Sequence, residues 1–365
     1  MSKIINILTP FFCLVLLSCS HSKDVIVVQY IDSSGADFLS SPCFVDFEII
    51  PLQGAESPLL GPIVNMIVKN NTYYISDPLR SGKVYLYHSN GNYLNSVGEM
   101  GRGPNEYLIL SDLIVEEDGN ITVYSSYQGM LFTYTPQGLF LESTEFDFKS
   151  ANYNRIKGFN YHYLGEGSGM PYQLYIFDNQ NNVIDSYLSS SDVPHFSTFS
   201  PVFTLFEDSF NFCPAYGNEV YRLMGSKLSV SYTFNFGEYT IPAEYFQKER
   251  NDTMAFIMSK TVATKELFFE NQKYAILRAD VCDFKEGFSR QIYGLLEKAK
   301  PTWKWYYINS DDFMNNYNLK YMDDSYIYFM VEPASIKETA LIDIIPSLSN
   351  YAEEDGIVIM KCKLK

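Results

Sequence analysis

Short runs of alternating apolar and polar residues recur along the chain, separated by Gly, Asn, Pro and Ser. Phe44 to Ile50, Val84 to Tyr87, Leu228 to Phe236 and Ile357 to Leu364 are examples. A period of two over four to nine residues between turn residues predicts half-buried β-strands. Two of these runs are near-copies. Val84-Tyr-Leu-Tyr-His-Ser-Asn-Gly91-Asn-Tyr-Leu94 and Leu131-Phe-Thr-Tyr-Thr-Pro-Gln-Gly138-Leu-Phe-Leu141 superimpose 47 residues apart, each reading as strand, turn, strand. A degenerate copy, Leu174-Tyr-Ile-Phe-Asp-Asn-Gln-Asn181-Asn-Val-Ile184, has Asn where the others have Gly, the other residue that tolerates positive φ in such a turn. A fainter one runs through Glu219 to Leu223, Gly225-Ser226 and Leu228 to Phe236.

Units of about 40 to 50 residues with four short strands are the signature of propeller blades, so the pattern predicts an all-β fold, a six-bladed β-propeller. Its blades fall near 62–98, 110–146, 154–189, 199–236 and 263–309, with a sixth starting around Leu319. The sixth lacks an outer strand, which Phe44 to Ile50 can supply. An N-terminal strand closing the last blade removes the open edges of the ring and favours six over the alternatives of five or seven. Two stretches break the rhythm and read as minor helical insertions. Pro242 to Ile257 has helical spacing at Phe246, Met254 and Ile257, and Ser335 to about Leu348 lies inside blade six.

The first residues carry an address. Lys3 precedes an apolar stretch from Ile4 to Leu17 that is too short for ~30 Å of hydrocarbon and ends at Leu16-Leu17-Ser18-Cys19. Leu-Leu-Ser-Cys resembles the bacterial lipoprotein lipobox. The resemblance implies a signal peptide over 1–18, lipidation of Cys19, a lipidated tether over 19–43 and the propeller over 44–365. Two or more acyl chains would hold the body on a membrane without a spanning segment, in the cell envelope, as an outer-membrane lipoprotein facing the periplasm or the surface. Beyond Cys13 and Cys19, the remaining cysteines are Cys43, Cys213, Cys282 and Cys362; they lack CxxC spacing, and spacing does not choose a disulfide pairing.

Composition agrees with sheets: of 365 residues, 30 are Tyr and 27 are Phe, residue types that pack well on pleated surfaces. The formal charge of −16, with no Lys/Arg cluster, argues against a nucleic-acid partner.

The segment Asn-Gly91-Asn-Tyr-Leu-Asn-Ser-Val-Gly-Glu-Met-Gly-Arg-Gly-Pro-Asn-Glu-Tyr107 is similar to one found in six-bladed β-propeller lipoproteins of Gram-negative bacteria, which are NHL-repeat-like and largely without assigned activity. Asn105 stands where that family usually has Gly. The start at Glu48-Ile-Ile-Pro-Leu, Val220-Tyr-Arg-Leu, Phe234-Asn-Phe-Gly-Glu-Tyr-Thr-Ile-Pro and the Lys-Leu-Lys terminus also fit. The resemblance implies fold and address, from about residue 44 to the end, and adds little on activity.

Candidate chemistry is sparse. The loop Gly101 to Tyr107 joins one blade to the next and is expected to run toward the channel, where Arg102, Asn105, Glu106 and Tyr107 would contact a ligand. The bland reading is a sharp return made by the glycines and Pro104, with Arg102 and Glu106 pairing to each other. His21, His88, His162 and His195 show no ligand spacing, so neither a metal nor another cofactor is expected. No nucleophile-elbow, P-loop or dinucleotide motif occurs. The pairs Asp311-Asp312 and Asp323-Asp324 and the runs Glu116 to Asp118 and Glu353 to Asp355 fall in expected turns. Trp303, Trp305 and Tyr307 share one strand face, to stack on sugar or to fill a blade interface. The expectation is a binding platform for a glycan, peptide or envelope protein; the alternative is a carbohydrate-active hydrolase or lyase at the channel mouth.

Overall fold

The computed structural model describes residues 25–28, 36–54, 60–61, 65–147, 149–164, 170–189, 201–214, 217–242, 244–245, 250–308, 317–332, 344–350 and 356–365. They form a six-bladed β-propeller.

Blade one is β3 (Asn65–Lys69), β4 (Thr72–Asp77), β5 (Lys83–His88) and β6 (Tyr93–Val97). Blade two is β7 (Asp112–Val115), β8 (Ile121–Ser125), β9 (Met130–Tyr134) and β10 (Phe140–Glu145). Blade three is β11 (Asn152–Ile156), β12 (Phe159–Tyr163), β13 (Tyr172–Phe177) and β14 (Val183–Ser189). Blade four is β15 (Phe203–Phe206), β16 (Ser209–Phe212), β17 (Glu219–Met224) and β18 (Lys227–Asn235). Blade five is β19 (Thr261–Glu270), β20 (Tyr274–Asp283), β21 (Phe288–Glu297) and β22 (Lys300–Ile308). Blade six joins β23 (Tyr317–Met322), β24 (Tyr326–Val331) and β25 (Val358–Leu364) to β2 (Phe44–Pro51), in the order β23-β24-β25-β2. The expected closure is therefore made: Phe44 pairs with Leu364 and Ile50 with Ile359, antiparallel.

Turn chemistry follows the repeat. Gly91 and Gly138 adopt φ of 87° and 85°, and Asn181, their counterpart in the third copy, adopts 61°. β3 and β4 are joined by Asn70-Asn71, both at positive φ, as a two-residue hairpin with the right-handed strand twist requires. The one α-helix among the described residues, α1 (Arg250–Ser259), lies between blades four and five, later than the start expected at Pro242. Of the second insertion, 344–350 are described and end in a 3-10 turn, Pro346–Asn350.

Each blade buries its two faces against its neighbours. Tyr74, Val84 and Leu86 of blade one meet Val115, Val123 and Phe132 of blade two. Tyr161 and Leu174 of blade three meet Phe203 and Phe210 of blade four. Trp303 and Trp305 stack on each other at 5.9 Å and meet Phe234 of blade four edge-on, so this pair fills a blade interface. Gly294 makes the room: a Cβ there would come within 2.6 Å of the Trp305 ring. The seam between blades two and three is thinner in carbon. Ile114, Tyr124, Leu131 and Tyr153 form its buried cluster, and polar clasps complete it. Asp112 accepts from the Tyr153 N–H at 2.9 Å, Tyr124 OH and Ser150 Oγ are 2.8 Å apart, and Arg155 reaches Glu116 at 2.5 Å.

The tether expected over 19–43 is corrected for its described part. Val25–Val27, as β1, pairs in parallel with the outer edge of β18, making blade four five-stranded. Phe38 is fully buried, stacked on Tyr293 of blade five at 4.5 Å and edge-on to Phe44 and Phe329 of blade six. The first segment satisfies the unpaired edge of β18 and buries Val28 although Val25 and Val27 stay exposed, and the second fills an open wedge with Phe38. Cys19, proposed to be lipidated, lies outside the described residues, as do the signal stretch 1–18, Asp311-Asp312 and Glu353 to Asp355. No helix among the described residues is long and apolar enough to cross a membrane.

Candidate functional site

The innermost strands β3, β7, β11, β15, β19 and β23 surround the axis and, with their adjoining turns, line a cavity of about 1200 Å³. Every blade contributes: Asn65 from the first, Asp112 from the second, Tyr153 from the third, Phe203 from the fourth, Phe269 from the fifth and Lys320 from the sixth. The cavity also reaches outward into the thin seam, where Thr133, Thr144 and Phe146 line it. Half-buried rings (Phe159, Tyr321) line it with the amides of Asn65, Asn154 and Asn179, whereas the Tyr153 and Phe203 rings are buried in the seams and the Asn160 amide is held by Tyr153 OH and the Asp178 carbonyl. Flat apolar faces beside hydrogen-bonding amides suit a ligand with both faces of that kind, as sugars have.

Two charged groups are held out of their usual state. Burial pushes the Asp112 carboxyl up to about 7, against the opposing effect of its bonds from the Tyr153 N–H and the Asn152 amide. Burial, and then the nearby Arg278 cation, bring the Lys320 amine down to about 7. At the turn end of the cavity Arg155 donates through Nε and Nη2 to Glu116 Oε1 and neutralises it, while Lys69 Nζ keeps its charge and donates to the backbone carbonyls of Val115 and Glu116 at 3.0 and 2.7 Å.

Asp112 supplies a prediction. The folded carboxyl keeps its proton up to about pH 7, whereas an unfolded Asp releases it near pH 4, so the group costs stability increasingly from pH 4 to 7 and fully above. Asp112→Asn retains an acceptor for Tyr153. Urea unfolding should show no gain at pH 4 and a gain of about 1–2 kcal/mol at pH 8; equal effects at both would refute the account.

The structure places the sequence candidates elsewhere. Arg102, Asn105, Glu106 and Tyr107 lie in the loop between β6 and β7, and none lines this cavity. Tyr107 is fully buried and its hydroxyl donates to the Gly82 carbonyl at 2.5 Å. The Glu106 carboxylate accepts from the Gly103 N–H at 2.6 Å, in place of the expected pair with Arg102. Gly98 and Gly101 are required because a Cβ would come within 2.3 Å of the Tyr107 hydroxyl and 2.0 Å of the Glu106 carboxylate. Asn105 takes the left-handed conformation, φ 72°, and its carbonyl accepts from Tyr134 OH at 2.9 Å. Arg102 is exposed. The loop's conspicuous residues serve mainly its own folding.

Other candidates are structural. His162 is buried among Tyr153, Phe146 and Phe177, its pKa lowered to about 3 by burial, with Nδ1 at 3.0 Å from Ser150 Oγ. His88 is exposed at the end of β5, just before the turn. Asp323 accepts from the Ser325 and Tyr326 N–H groups and from Tyr328 OH. Cys43, Cys213 and Cys282 are free thiols pushed up to about 11 by burial. No group of three or more metal-ligating side chains occurs among the described residues.

Over residues 25–363 the chain matches the family described as a domain of unknown function (DUF4934). The chain belongs to the DUF4934 family. That match starts at β1 and ends in β25, so the DUF4934 unit takes in the whole wheel, including the strand on the edge of blade four. Among solved structures, a protein of Bacteroides fragilis described as exported shares the fold: TM-score 0.75, 17% identity, covering 94% of this chain and 100% of that one. The virginiamycin B lyase of Staphylococcus aureus aligns at a TM-score of 0.44 and 10% identity, over 88% of this chain and 99% of the other. A Bacteroides caccae protein of unknown function aligns at 0.42 and 12%, over 69% and 84%. No curated protein sequence matches this DUF4934 chain.

The sequence reading missed Asp112 and Lys320. One signal was present: in the repeat alignment Asp112 begins an otherwise apolar innermost strand, where blades one and three begin theirs with Asn65 and Asn152.

Proposed function

We propose that this chain is a binding platform of the cell envelope that takes a sugar-like ligand into its axial cavity. The carrying observation is the space of about 1200 Å³ to which every blade contributes and which half-buried rings and amides line. For the address, the lipobox-like Leu16-Leu17-Ser18-Cys19 and the exported neighbour from Bacteroides fragilis support an anchor through acylated Cys19, with the wheel outside the cytoplasm.

Full-length chain extracted from membranes in detergent tests both parts. A panel of neutral oligosaccharides and of peptides is screened by thermal denaturation; a ligand at 100 times its Kd adds about 2.7 kcal/mol. We expect an oligosaccharide to raise the midpoint and Asn154→Trp, which fills the cavity, to abolish the rise. A response to peptides alone, or one indifferent to Asn154→Trp, overturns the reading. Mass spectrometry of the same preparation should find acylated Cys19 as the first residue; an unmodified Cys19 removes the anchor.

A further inference from the structure

Two innermost strands are interrupted by a bulge, and in both the extra residue is titratable. The β19–β20 register shifts between Lys265 and Leu267, leaving Glu266 without an opposite residue. The β23–β24 register shifts between Leu319 and Tyr321, leaving Lys320 so. A bulge releases one side chain from strict alternation and re-aims it. Its neighbours pack to either side, Leu319 against blade five and Tyr321 toward blade one, while Lys320 lines the axial cavity.

Lys320 there is an amine that holds its charge poorly for want of a counter-ion. Among the described residues no hydrogen bond or ion pair to its amine is found. The charge it feels most is Arg278, also a cation. The carboxylate that could serve, Asp280, is held by Arg278 through two bonds of 3.0 and 2.9 Å. The bulged Glu266 is kept protonated up to about 7 by burial and then by Asp280. A half-buried amine without an anion is costly, and an entering anion relieves that cost.

We propose that Lys320 anchors a carboxylate on the ligand of the axial cavity, so that the channel selects acidic sugars, uronates, over neutral ones. The inference rests on the sugar-binding reading above. A single amine pairs with one anionic oxygen, and the nearby Arg278 fork, which would favour a dianion, is committed to Asp280, so a monoanionic carboxylate matches the one charge on offer. The amides and rings of the cavity are left to the rest of the sugar.

Isothermal titration of the full-length chain tests this with three probes: a galacturonate trimer, its carboxyl-reduced counterpart galactotriose, and triglutamate. We expect the galacturonate trimer to bind at least tenfold tighter than galactotriose and tighter than triglutamate. Lys320→Met, of similar length and without charge, should bring the ratio of the two sugars close to one, and Lys320→Arg should keep part of the preference. Thermal denaturation of both variants confirms the folded wheel. Equal affinity for the two sugars, or a preference that survives in Lys320→Met, overturns the anchor and leaves the sugar-binding reading standing. Preference for triglutamate overturns the choice of uronate. Binding of neither sugar overturns both proposals.

Discussion

Phe38→Ala will cost the fold about 3–5 kcal/mol, the range for removing a fully buried aromatic ring. The residue sits outside the repeat, before the first strand of blade six, where composition reads as tether. Yet its ring lies flat on Tyr293 at 4.5 Å and edge-on to Phe44, Tyr306 and Phe329. Those partners belong to blade five, blade six and the closing strand, so one side chain fills the wedge where ring closure meets blade five. Ser41 assists, its hydroxyl reaching Tyr306 OH at 3.1 Å. Urea unfolding of Phe38→Ala beside Phe38→Leu checks the argument: leucine should recover a large share of the loss. A change under about 0.5 kcal/mol, as at an unconstrained surface site, would show that the segment is a tether after all.

The second large effect is expected at Gly91→Ala, at about 3 kcal/mol or more. Two costs add. The residue holds φ of 87°, which penalises any L side chain by about 1–2 kcal/mol, and its Cβ would stand 2.0 Å from the Pro51 carbonyl oxygen. Pro51 ends the closing strand, and Gly91 also accepts the Gln53 N–H at 3.0 Å while Tyr93 donates to Gln53 at 2.8 Å. The substitution therefore pushes blade one away from blade six at the point of closure. The repeat provides its own control. Gly138 has the same φ within a few degrees, but its Cβ would meet the Ser96 carbonyl at 3.3 Å, so Gly138→Ala should cost only the conformational part, about 1–2 kcal/mol. Equal losses at the two glycines would refute the closure argument.

Fold and site were unequally legible in the sequence. The wheel could be read because strand alternation and the Gly91, Gly138 and Asn181 turns are local, and local signals repeat with the blade. Closure could be read because Phe44 to Ile50 and Ile357 to Leu364 were strands without partners. The roles of Val25–Val27 and Phe38 could not, since each depends on an edge or wedge presented by residues more than 200 positions away. Arg102, Glu106 and Tyr107 drew notice in the sequence for the reason that Glu106 and Tyr107 are engaged in the structure: a tight loop needs glycines, a carboxylate and a buried hydroxyl, and none of the three lines the axial cavity. Lys320 and Glu266 were hidden because a bulge shifts a register without any mark in composition.

The parallel pairing of Val25–Val27 with the outer strand of blade four puts the first described residues on the rim of the wheel. Four strands of that blade separate them from the axle, so the edge they cover and the space the innermost strands enclose are distinct surfaces.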